Sequence, residues 1–208
     1  MIVVGVTGNM GSGKTTVSRM LRDMGAEVVD ADQLAREIVQ PHRPAWRELV
    51  AEFGSSILRE DGTIDRRRLA RMVFADAERL RRLNEITHPR IIEEIDARIR
   101  AARRRGDTRV LVIDAPLIIE AGMVSMVDRI WLVRADQEVR MQRLLQRGEY
   151  TRSEIRDRLR AQMPENEQLR YADAVIDNSG CIEETRRQVR ALWEELCKEI
   201  ERKDGPDA

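Results

Sequence analysis

The sequence has almost no lysine, few aromatic side chains and no net charge. Of its 37 basic residues only Lys14, Lys198 and Lys203 are lysines, and Phe, Trp and Tyr together make up 3% of the 208 residues. The 37 basic residues are balanced by 37 acidic ones. Nucleic-acid binding needs a basic electrostatic field or aromatic stacking platforms, so this composition argues against it. We therefore expect an aliphatic core and no nucleic-acid partner.

Cysteine and long hydrophobic runs are also scarce. Cys181 and Cys197 are the only cysteines, and they lack the clustered partners of a zinc site. We expect both thiols to be reduced and buried, as in a cytosolic protein. The apolar run from Met1 to Val6 is too short for a signal sequence or a membrane span. The sequence therefore predicts a cytoplasmic protein with no membrane partner.

Strand-like and helix-like segments alternate along the chain. Apolar and β-branched runs at 2–6, 26–29, 110–113, 130–133 and 174–176 predict five short strands, with helical spacing of apolar residues between them. This alternation predicts an α/β protein with a parallel sheet. Residues 41–106 have a helical pattern, which predicts an insertion after the second strand. In that insertion we expect Asp65 and Asp76 to be N-caps and Pro89 to lie in the first turn of a helix.

A glycine-rich motif lies between the first predicted strand and the first predicted helix. Residues 8–15, GNMGSGKT, fit the pattern G-x-x-x-x-G-K-[ST] of a phosphate-binding P-loop. Its glycines allow backbone N–H groups to surround phosphate oxygens, and the helix N-terminus adds partial positive charge. We expect the Lys14 ammonium to reach the β and γ phosphates and the Thr15 hydroxyl to bind Mg²⁺. The nucleotide-binding residues predicted in this loop are Gly8, Gly11, Ser12, Gly13, Lys14 and Thr15.

Acidic residues follow the second and third predicted strands, at the edge where open α/β sheets bind their ligands. Asp30 and Asp32 come directly after the second strand. Each is either a group that acts on the phosphoryl acceptor or a cap of the next helix. Asp114 ends the third strand and either holds the Mg²⁺ water shell or caps the turn at Pro116. The residues alone leave these alternatives open.

Three arginines recur on the helix after the fourth predicted strand. Arg140, Arg143 and Arg147 are spaced by three and four residues, so their side chains project from nearly one face. They predict either a solvated face or a lid whose arginines fold over the transferred phosphoryl group. His88 is a candidate ligand or general base, although its place beside Pro89 favours local packing.

Further motifs, in chain order, resemble those of one family, the dephospho-coenzyme A kinases. They are GVTG at 5–8 continuing into the P-loop, VDAD at 29–32, FG at 53–54, DG at 61–62, IDR at 64–66, LN at 83–84, HP at 88–89, PLIIE at 116–120, RL at 143–144 with Arg147, Gln162, AD at 172–173 and DNSG at 177–180. Many families share the P-loop, but the DAD, HP, PLxxE and DNSG motifs in this order are specific. The resemblance spans residues 5 to 180.

The resemblance implies an enzyme that transfers a phosphoryl group from ATP, with Mg²⁺, to the ribose 3′-hydroxyl of dephospho-CoA. This is the last step of coenzyme A synthesis. It implies that Asp32 is the catalytic base and that the lid arginines act with Lys14. It places Asn178 near the adenine of the nucleotide, and Thr16 is a further predicted nucleotide-binding residue. The residues that it places at the acceptor are Asp32, Arg66, Asn84, His88, Pro89, Pro116 and Glu120.

The sequence departs from the family pattern at three places. Asn9-Met10 stands where Gly-Ile is more usual, Ile118-Ile119 replaces Leu-Phe, and the lid reads RGEY at 147–150.

The resemblance also implies a three-layer P-loop kinase fold with a five-stranded sheet in the order 2-3-1-4-5. The expected division is a core of residues 1–59, 108–135 and 166–203, a helical acceptor domain of residues 60–107, a lid of residues 136–165 and a disordered tail of residues 204–208. The expected partners are ATP and dephospho-CoA, and the expected assembly is a monomer or a small homo-oligomer.

Two other functions fit the P-loop. A different small P-loop kinase, acting on a nucleoside, a nucleotide or a small metabolite, would differ only in its acceptor. A nucleotide-dependent switch protein would hydrolyse ATP or GTP without an acceptor. The base-reading motif Asn-Lys-x-Asp of GTPases is absent, because no lysine lies between residues 15 and 197.

Overall fold

Five apolar runs of the sequence form one parallel sheet. The protein is described here by a computed structural model that covers residues 1–148, 151–160 and 162–203. The predicted tail at 204–208 and the lid residues Glu149 and Tyr150 lie outside the described residues. The strands are β1 (Ile2–Thr7), β2 (Glu27–Asp30), β3 (Val110–Asp114), β4 (Arg129–Arg134) and β5 (Ala174–Asp177).

The strand order is β2-β3-β1-β4-β5, which confirms the expected 2-3-1-4-5 sheet. The central strand β1 pairs in parallel with β3, with Val4 opposite Val112, and with β4, with Gly5 opposite Ile130. Every residue of β1 and of β3 is buried. Strands covered on both faces have continuous apolar sequences, which explains why these two runs were recognisable.

Helices connect the strands in the α/β alternation that the sequence predicts. In the described part of the chain they are α1 (Lys14–Asp23), α2 (Ala31–Glu37), α3 (Pro44–Phe53), α4 (Arg66–Phe74), α5 (Ala77–Arg105), α6 (Gln137–Gln146), α7 (Arg152–Arg160), α8 (Glu165–Gln168) and α9 (Ile182–Lys203). Val17 of α1 and Val189 of α9 pack with Val4 of β1 in one buried cluster. This packing fixes the helix that follows the P-loop against the sheet.

The chain divides into two compact units. The first contains Met1–Val29 and Ile99–Ala208, and the second contains Asp30–Arg98. The second unit has its own apolar core, which includes Leu49, Ile57 and Val73. The functional division into a core, an acceptor domain at 60–107 and a lid at 136–165 stays a prediction.

The predicted helix caps in the second unit are confirmed. One carboxylate oxygen of Asp65 accepts from the backbone N–H groups of the second and third residues of α4, at 3.0 Å each. The Asp76 carboxylate bonds the first turn of α5 in the same way. In the first unit, Thr151 and Glu154 form a reciprocal capping box before α7.

The prediction that Pro89 begins a helix is wrong, because Pro89 lies inside the 29-residue helix α5. Proline lacks an N–H group, so it removes one hydrogen bond of the helix. Side chains bond other carbonyls of this turn: the Thr87 hydroxyl donates to Leu83 O at 2.8 Å and the Arg90 guanidinium donates to Ile86 O at 2.6 Å. With these bonds and the burial of Ile86 in the core of the unit, the helix continues through the proline.

The prediction that both cysteines are buried is wrong for Cys181. Cys181 is exposed and Cys197 is partly buried. Cys181 lies just before α9, and its carbonyl accepts the first backbone hydrogen bonds of that helix. Its exposed side chain is not part of the buried cluster that contains Val189 of α9.

Among the described residues, none of the helices combines the length with the apolar character that crossing a membrane requires.

Candidate active site

The P-loop joins β1 to α1 at the edge of the sheet where the parallel strands end. Gly8, Gly11 and Gly13 have φ angles of 144°, 83° and 97°, a region that residues with a side chain rarely adopt. A side chain would also have no room at Gly8, since a Cβ there would collide with the carbonyl oxygen of Val133 in β4. The glycine spacing of the motif is therefore required by the conformation of the loop and by its contact with the sheet.

Lys14 is the first residue of α1, and its ammonium group folds back over the P-loop. Its Nζ atom donates to the carbonyl oxygen of Gly8 at 3.1 Å. The residue before α1 is Gly13, which has no side chain to cap the helix, and the first turn of α1 contains no acidic residue. The backbone N–H groups at the start of α1 are therefore placed to bind an anion.

A cleft of about 340 Å³ opens beside the P-loop within the first unit. Of the predicted site residues it brings together two P-loop glycines, Thr16, Asn178 and two of the three lid arginines. Its lining residues are Gly11, Gly13, Thr16, Arg143, Gln146, Arg147, Asn178 and Ile182. Sequence reasoning missed Gln146 and Ile182. The signals that could have found them are the spacing of Gln146 three residues after Arg143 and the position of Ile182 just after the DNSG motif.

The three predicted lid arginines differ in how far they are buried. Arg140 and Arg143 lie in α6, and Arg147 follows its last residue. The Arg143 guanidinium donates through Nη2 to the carbonyl oxygen of Asn178 at 2.8 Å. Arg143 Nη1 and Arg140 Nε are buried, and neither has a hydrogen-bond partner among the described residues. Buried donors without a partner are costly, so these two arginines do not form a purely solvated face. Arg147 is exposed and lines the cleft.

Asn178 follows β5 and ties the P-loop to the next helix. Its Nδ2 atom donates to the carbonyl oxygen of Ser12 at 2.7 Å, and its Oδ1 atom accepts from the Thr185 hydroxyl at 2.9 Å. A Cβ on Gly13 would collide with Nδ2 of Asn178. The last glycine of the P-loop is thus required for the close approach of this amide.

Two glutamines bond the opposite part of the P-loop. Gln162 Oε1 accepts from the backbone N–H of Met10 at 2.9 Å. Gln168 of α8 donates from Nε2 to Asn9 Oδ1 at 3.0 Å, and both of these side chains are buried. Asn9 of the P-loop therefore has a hydrogen-bond partner elsewhere in the chain. Gln168 was missed, because no local pattern connects it to the P-loop.

Asp114 lies beside the start of the P-loop. It ends β3 opposite Val6 of β1, and it is buried. The Thr7 hydroxyl donates to the carbonyl oxygen of Pro116 at 3.3 Å, so the chain after β3 runs along the P-loop. Glu120 lies in the following turn and is exposed.

The residues around the P-loop fit a magnesium ion bound together with phosphate. Mg²⁺ in nucleotide sites keeps several waters and phosphate oxygens and takes only one or two protein oxygen ligands. The Thr15 hydroxyl and the Asp114 carboxylate match that need. In the part of the chain that the structure describes, no group of three or more His, Cys, Asp or Glu side chains forms an independent metal site.

In the second unit, the two aspartates of the DAD motif differ in environment. Asp30 is the N-cap of α2, and its Oδ1 accepts from the backbone N–H groups of Asp32 at 2.9 Å and Gln33 at 3.1 Å. Asp32 lies in the first turn of α2 and is exposed. The capping alternative therefore accounts for Asp30 and does not account for Asp32.

Arg66, the first residue of α4, lies within the electrostatic range of Asp32. The pKa of Arg66 is lowered, first by desolvation of its guanidinium and then by the positive charge of Arg36, while Asp32 acts in the opposite direction. Arg36 follows Asp32 by four residues on α2, which places the two on one helix face. The second unit thus groups a carboxylate with two guanidinium groups, an arrangement suited to an anionic substrate. Sequence reasoning missed Arg36, although the i, i+4 spacing was a usable signal.

Asn84 and His88 lie one turn apart on α5, with Pro89 next to His88. Both side chains are partly buried. Burial lowers the pKa of His88 from its usual 6.5, so the imidazole is neutral at pH 7. A neutral imidazole both donates and accepts hydrogen bonds.

The lowered pKa of His88 predicts a pH dependence of stability. The unfolded chain takes up the proton at a higher pH than the folded chain, so the free energy of unfolding falls as the pH drops through about 6.5. The fall stops below the folded-state pKa. In urea titrations at about pH 7.5 and 5.5, we expect the wild type to lose more unfolding free energy than His88→Gln. Equal losses in the two proteins would contradict this expectation.

The fold and this site together define a class of protein. A P-loop on a 2-3-1-4-5 parallel sheet, with arginines of a later helix beside it, is typical of the small P-loop kinases. A family model described as dephospho-CoA kinase matches residues 2–184. The chain belongs to the dephospho-CoA kinase family. This family catalyses the final step of coenzyme A biosynthesis, which confirms the predicted enzyme class.

Individual relatives agree with this assignment. The dephospho-CoA kinase of Moorella thermoacetica is 48% identical over 200 residues, which cover 96% of this chain and 94% of that protein. That of Geobacter metallireducens is 51% identical over 195 residues, covering 94% and 96%. A crystal structure of a Thermus thermophilus protein has a TM-score of 0.79 at 35% identity and covers 94% of this chain and 97% of that one. Shikimate kinase from Acinetobacter baumannii, with a TM-score of 0.54 at 13% identity over 96% and 94% of the chains, shares the fold alone.

Proposed function

We propose that the protein transfers the γ-phosphoryl group of ATP to the ribose 3′-hydroxyl of dephospho-CoA, giving coenzyme A and ADP. The observation that carries this proposal is the cleft beside the P-loop, which contains Gly13, Arg143 and Arg147. Phosphoryl transfer is catalysed mainly by positioning and by neutralising the charge of the phosphates. A glycine loop, a lysine and converging arginines supply both.

On the donor side, the backbone N–H groups of the P-loop and the start of α1 surround the phosphates of ATP. Lys14 leaves the Gly8 carbonyl and pairs with the β and γ phosphates. Arg140, Arg143 and Arg147 stabilise the charge on the transferred group, and Asn178 lies at the nucleotide. Mg²⁺, when bound, neutralises charge on the phosphates, and the residues that would hold it are Thr15 and Asp114.

On the acceptor side, the Asp32 carboxylate accepts the proton of the 3′-hydroxyl. The freed oxygen forms a bond to the γ-phosphorus, while the bond from that phosphorus to the β–γ bridging oxygen breaks and ADP leaves. Arg66 and Arg36 pair with the diphosphate of dephospho-CoA, which is its main negative charge. The other acceptor contacts that we propose are Asn84, His88, Pro89, Pro116 and Glu120.

The setting that we propose is the cytoplasm, with the chain acting as a monomer or a small homo-oligomer. The two cysteines are free, as is usual in a reducing compartment. The partners are the two substrates. The chain has no net charge that would attract nucleic acid or an anionic membrane.

The decisive experiment measures ADP formation by the purified protein with ATP and Mg²⁺. We expect formation to require dephospho-CoA. Coenzyme A is the matched control, because its 3′-oxygen already carries a phosphate and it should not support turnover. ADP formation without any acceptor would favour the switch function, whereas formation with a nucleoside, a nucleotide or a small metabolite in place of dephospho-CoA would favour a different small kinase.

A further inference from the structure

We propose that Thr185 and Asn178 form a positioning pair that sets the orientation of the P-loop, so that Asn178 acts on the phosphates of the nucleotide through the loop and does not read the base. The inference rests on the proposed function insofar as it takes the cleft to bind ATP. It concerns Thr185, a residue of α9 that no sequence motif points to.

The pair forms a buried chain of hydrogen bonds from α9 to the P-loop. The exposed fractions of Ser12, Asn178 and Thr185 are 1%, 4% and 0%. The Thr185 hydroxyl donates to Asn178 Oδ1 at 2.9 Å, and Asn178 Nδ2 donates to Ser12 O at 2.7 Å. Buried hydrogen bonds are costly to break, because the groups left behind find no water.

The two bonds of the Asn178 amide require the same orientation of its side chain. A hydroxyl that donates to Oδ1 holds the amide with its oxygen towards α9 and its NH₂ group towards the P-loop. Rotating the amide by 180° would place Oδ1 against the carbonyl oxygen of Ser12, where two acceptors repel each other. The Ser12 carbonyl can only accept, so it requires this amide orientation, and the Thr185 hydroxyl holds the amide from the other side by donating to Oδ1.

The bond to Ser12 orients a backbone donor of the P-loop. In a trans peptide the C=O and the following N–H point in opposite directions. Anchoring the Ser12 carbonyl on Asn178 therefore turns the N–H of Gly13 away from Asn178. This is a donor of the loop that, in the proposed function, surrounds the phosphates.

Asn178 holds an arginine of α6 as well. Its backbone carbonyl accepts from Nη2 of Arg143 at 2.8 Å, and the other terminal nitrogen of that guanidinium is buried without a partner among the described residues. One residue thus positions both the P-loop and an arginine of the cleft. Asn178 is 4% exposed and the two hydrogen bonds of its side-chain amide go to protein groups, so we assign the effect of the pair to the phosphate chain of the nucleotide.

The test is equilibrium binding of ADP and of inorganic tripolyphosphate, measured by calorimetry without any acceptor. Thr185→Val keeps the shape of the side chain and removes the hydroxyl, whereas Thr185→Ser keeps the hydroxyl. We expect Thr185→Val to weaken both ligands by the same factor, roughly three- to tenfold, the size of one hydrogen bond. Thr185→Ser should bind both ligands within about twofold of the wild type.

Gln188 provides the matched control for loss of polar contacts on α9. Its side chain accepts from the backbone N–H of Asp177 at 2.9 Å and donates to the Asp177 carbonyl at 2.8 Å, so these bonds lie beside Asn178 and do not involve the P-loop. Gln188→Met should therefore leave both dissociation constants unchanged. If Thr185→Val does not fold, Asn178→Asp is the second test, because a carboxylate has no donor for the Ser12 carbonyl.

Two results would overturn the inference. One is wild-type affinity of Thr185→Val for both ligands. The other is weaker binding of ADP with unchanged binding of tripolyphosphate, which would make Asn178 a base-reading residue. The binding experiment contains no acceptor and does not depend on phosphoryl transfer. Failure of the wild type to phosphorylate dephospho-CoA would therefore refute the proposed function and leave this inference standing. A wild type that binds neither ligand would overturn both.

Discussion

Replacing Lys14 with alanine is expected to lower kcat/KM for phosphoryl transfer by roughly 10³-fold, the loss typical of a charge-stabilising group aimed at the reacting atoms. Lys14 is the only lysine among the first 197 residues. In a chain that otherwise uses arginine, its retention indicates a need for a compact ammonium group. Its Nζ already lies 3.1 Å from the Gly8 carbonyl oxygen, within the P-loop.

Arginine at this position should not restore activity. A planar guanidinium is wider than an ammonium, and we expect it not to reproduce the contact that the compact Lys14 ammonium makes within the loop. Lys198→Ala is the control for loss of a lysine, because Lys198 is exposed on α9. Circular dichroism should show an intact fold in all three variants. Turnover near the wild-type rate by Lys14→Ala or Lys14→Arg would refute the role of the P-loop.

The parts of the fold that the sequence predicts are those determined locally. β1 and β3 are buried on both faces, so their sequences are continuous apolar runs. Asp65 and Asp76 cap helices through bonds to residues two and three positions away. The strand order came from family resemblance, because the central strand β1 pairs with residues more than 100 positions away in β3 and β4. The continuation of α5 through Pro89 depends on packing in the second unit, which outweighs the helix-breaking tendency of proline.

The residues of the candidate site also divide into those that local sequence predicts and those that it does not. The P-loop is recognisable because its chemistry lies within eight consecutive residues. Gln168 and Thr185 were not recognisable, since their roles depend on tertiary contacts. Gln168 bonds Asn9 across 159 positions of the chain, and Thr185 reaches the P-loop only through Asn178, which is 166 positions from Ser12. Polar residues of this kind carry no local pattern, so only the structure identifies them.

The second large expected effect is the loss of activity on replacing Asp32 of the DAD motif. Asp32→Asn keeps the size of the side chain and its ability to hydrogen-bond, but removes its charge and basicity. If Asp32 accepts the proton of the acceptor hydroxyl, kcat should fall by roughly 10²-fold or more, the usual contribution of a general base. The affinity for ATP should change little, because the residues proposed to hold ATP belong to the P-loop and its cleft. Steady-state kinetics with dephospho-CoA, together with nucleotide binding, measure both quantities.

Asp30→Asn is the matched control, since it makes the same chemical change two residues earlier. Asp30 caps α2 by accepting from two backbone N–H groups, and asparagine is as good an N-cap as aspartate. The variant should therefore keep both its stability and its activity. Full activity of Asp32→Asn combined with a strong loss in Asp30→Asn would transfer the role of base to Asp30. In that case Oδ2 of Asp30 would accept the proton while Oδ1 keeps its bonds to the backbone of α2, and Asp30→Asn would remain folded while losing catalysis.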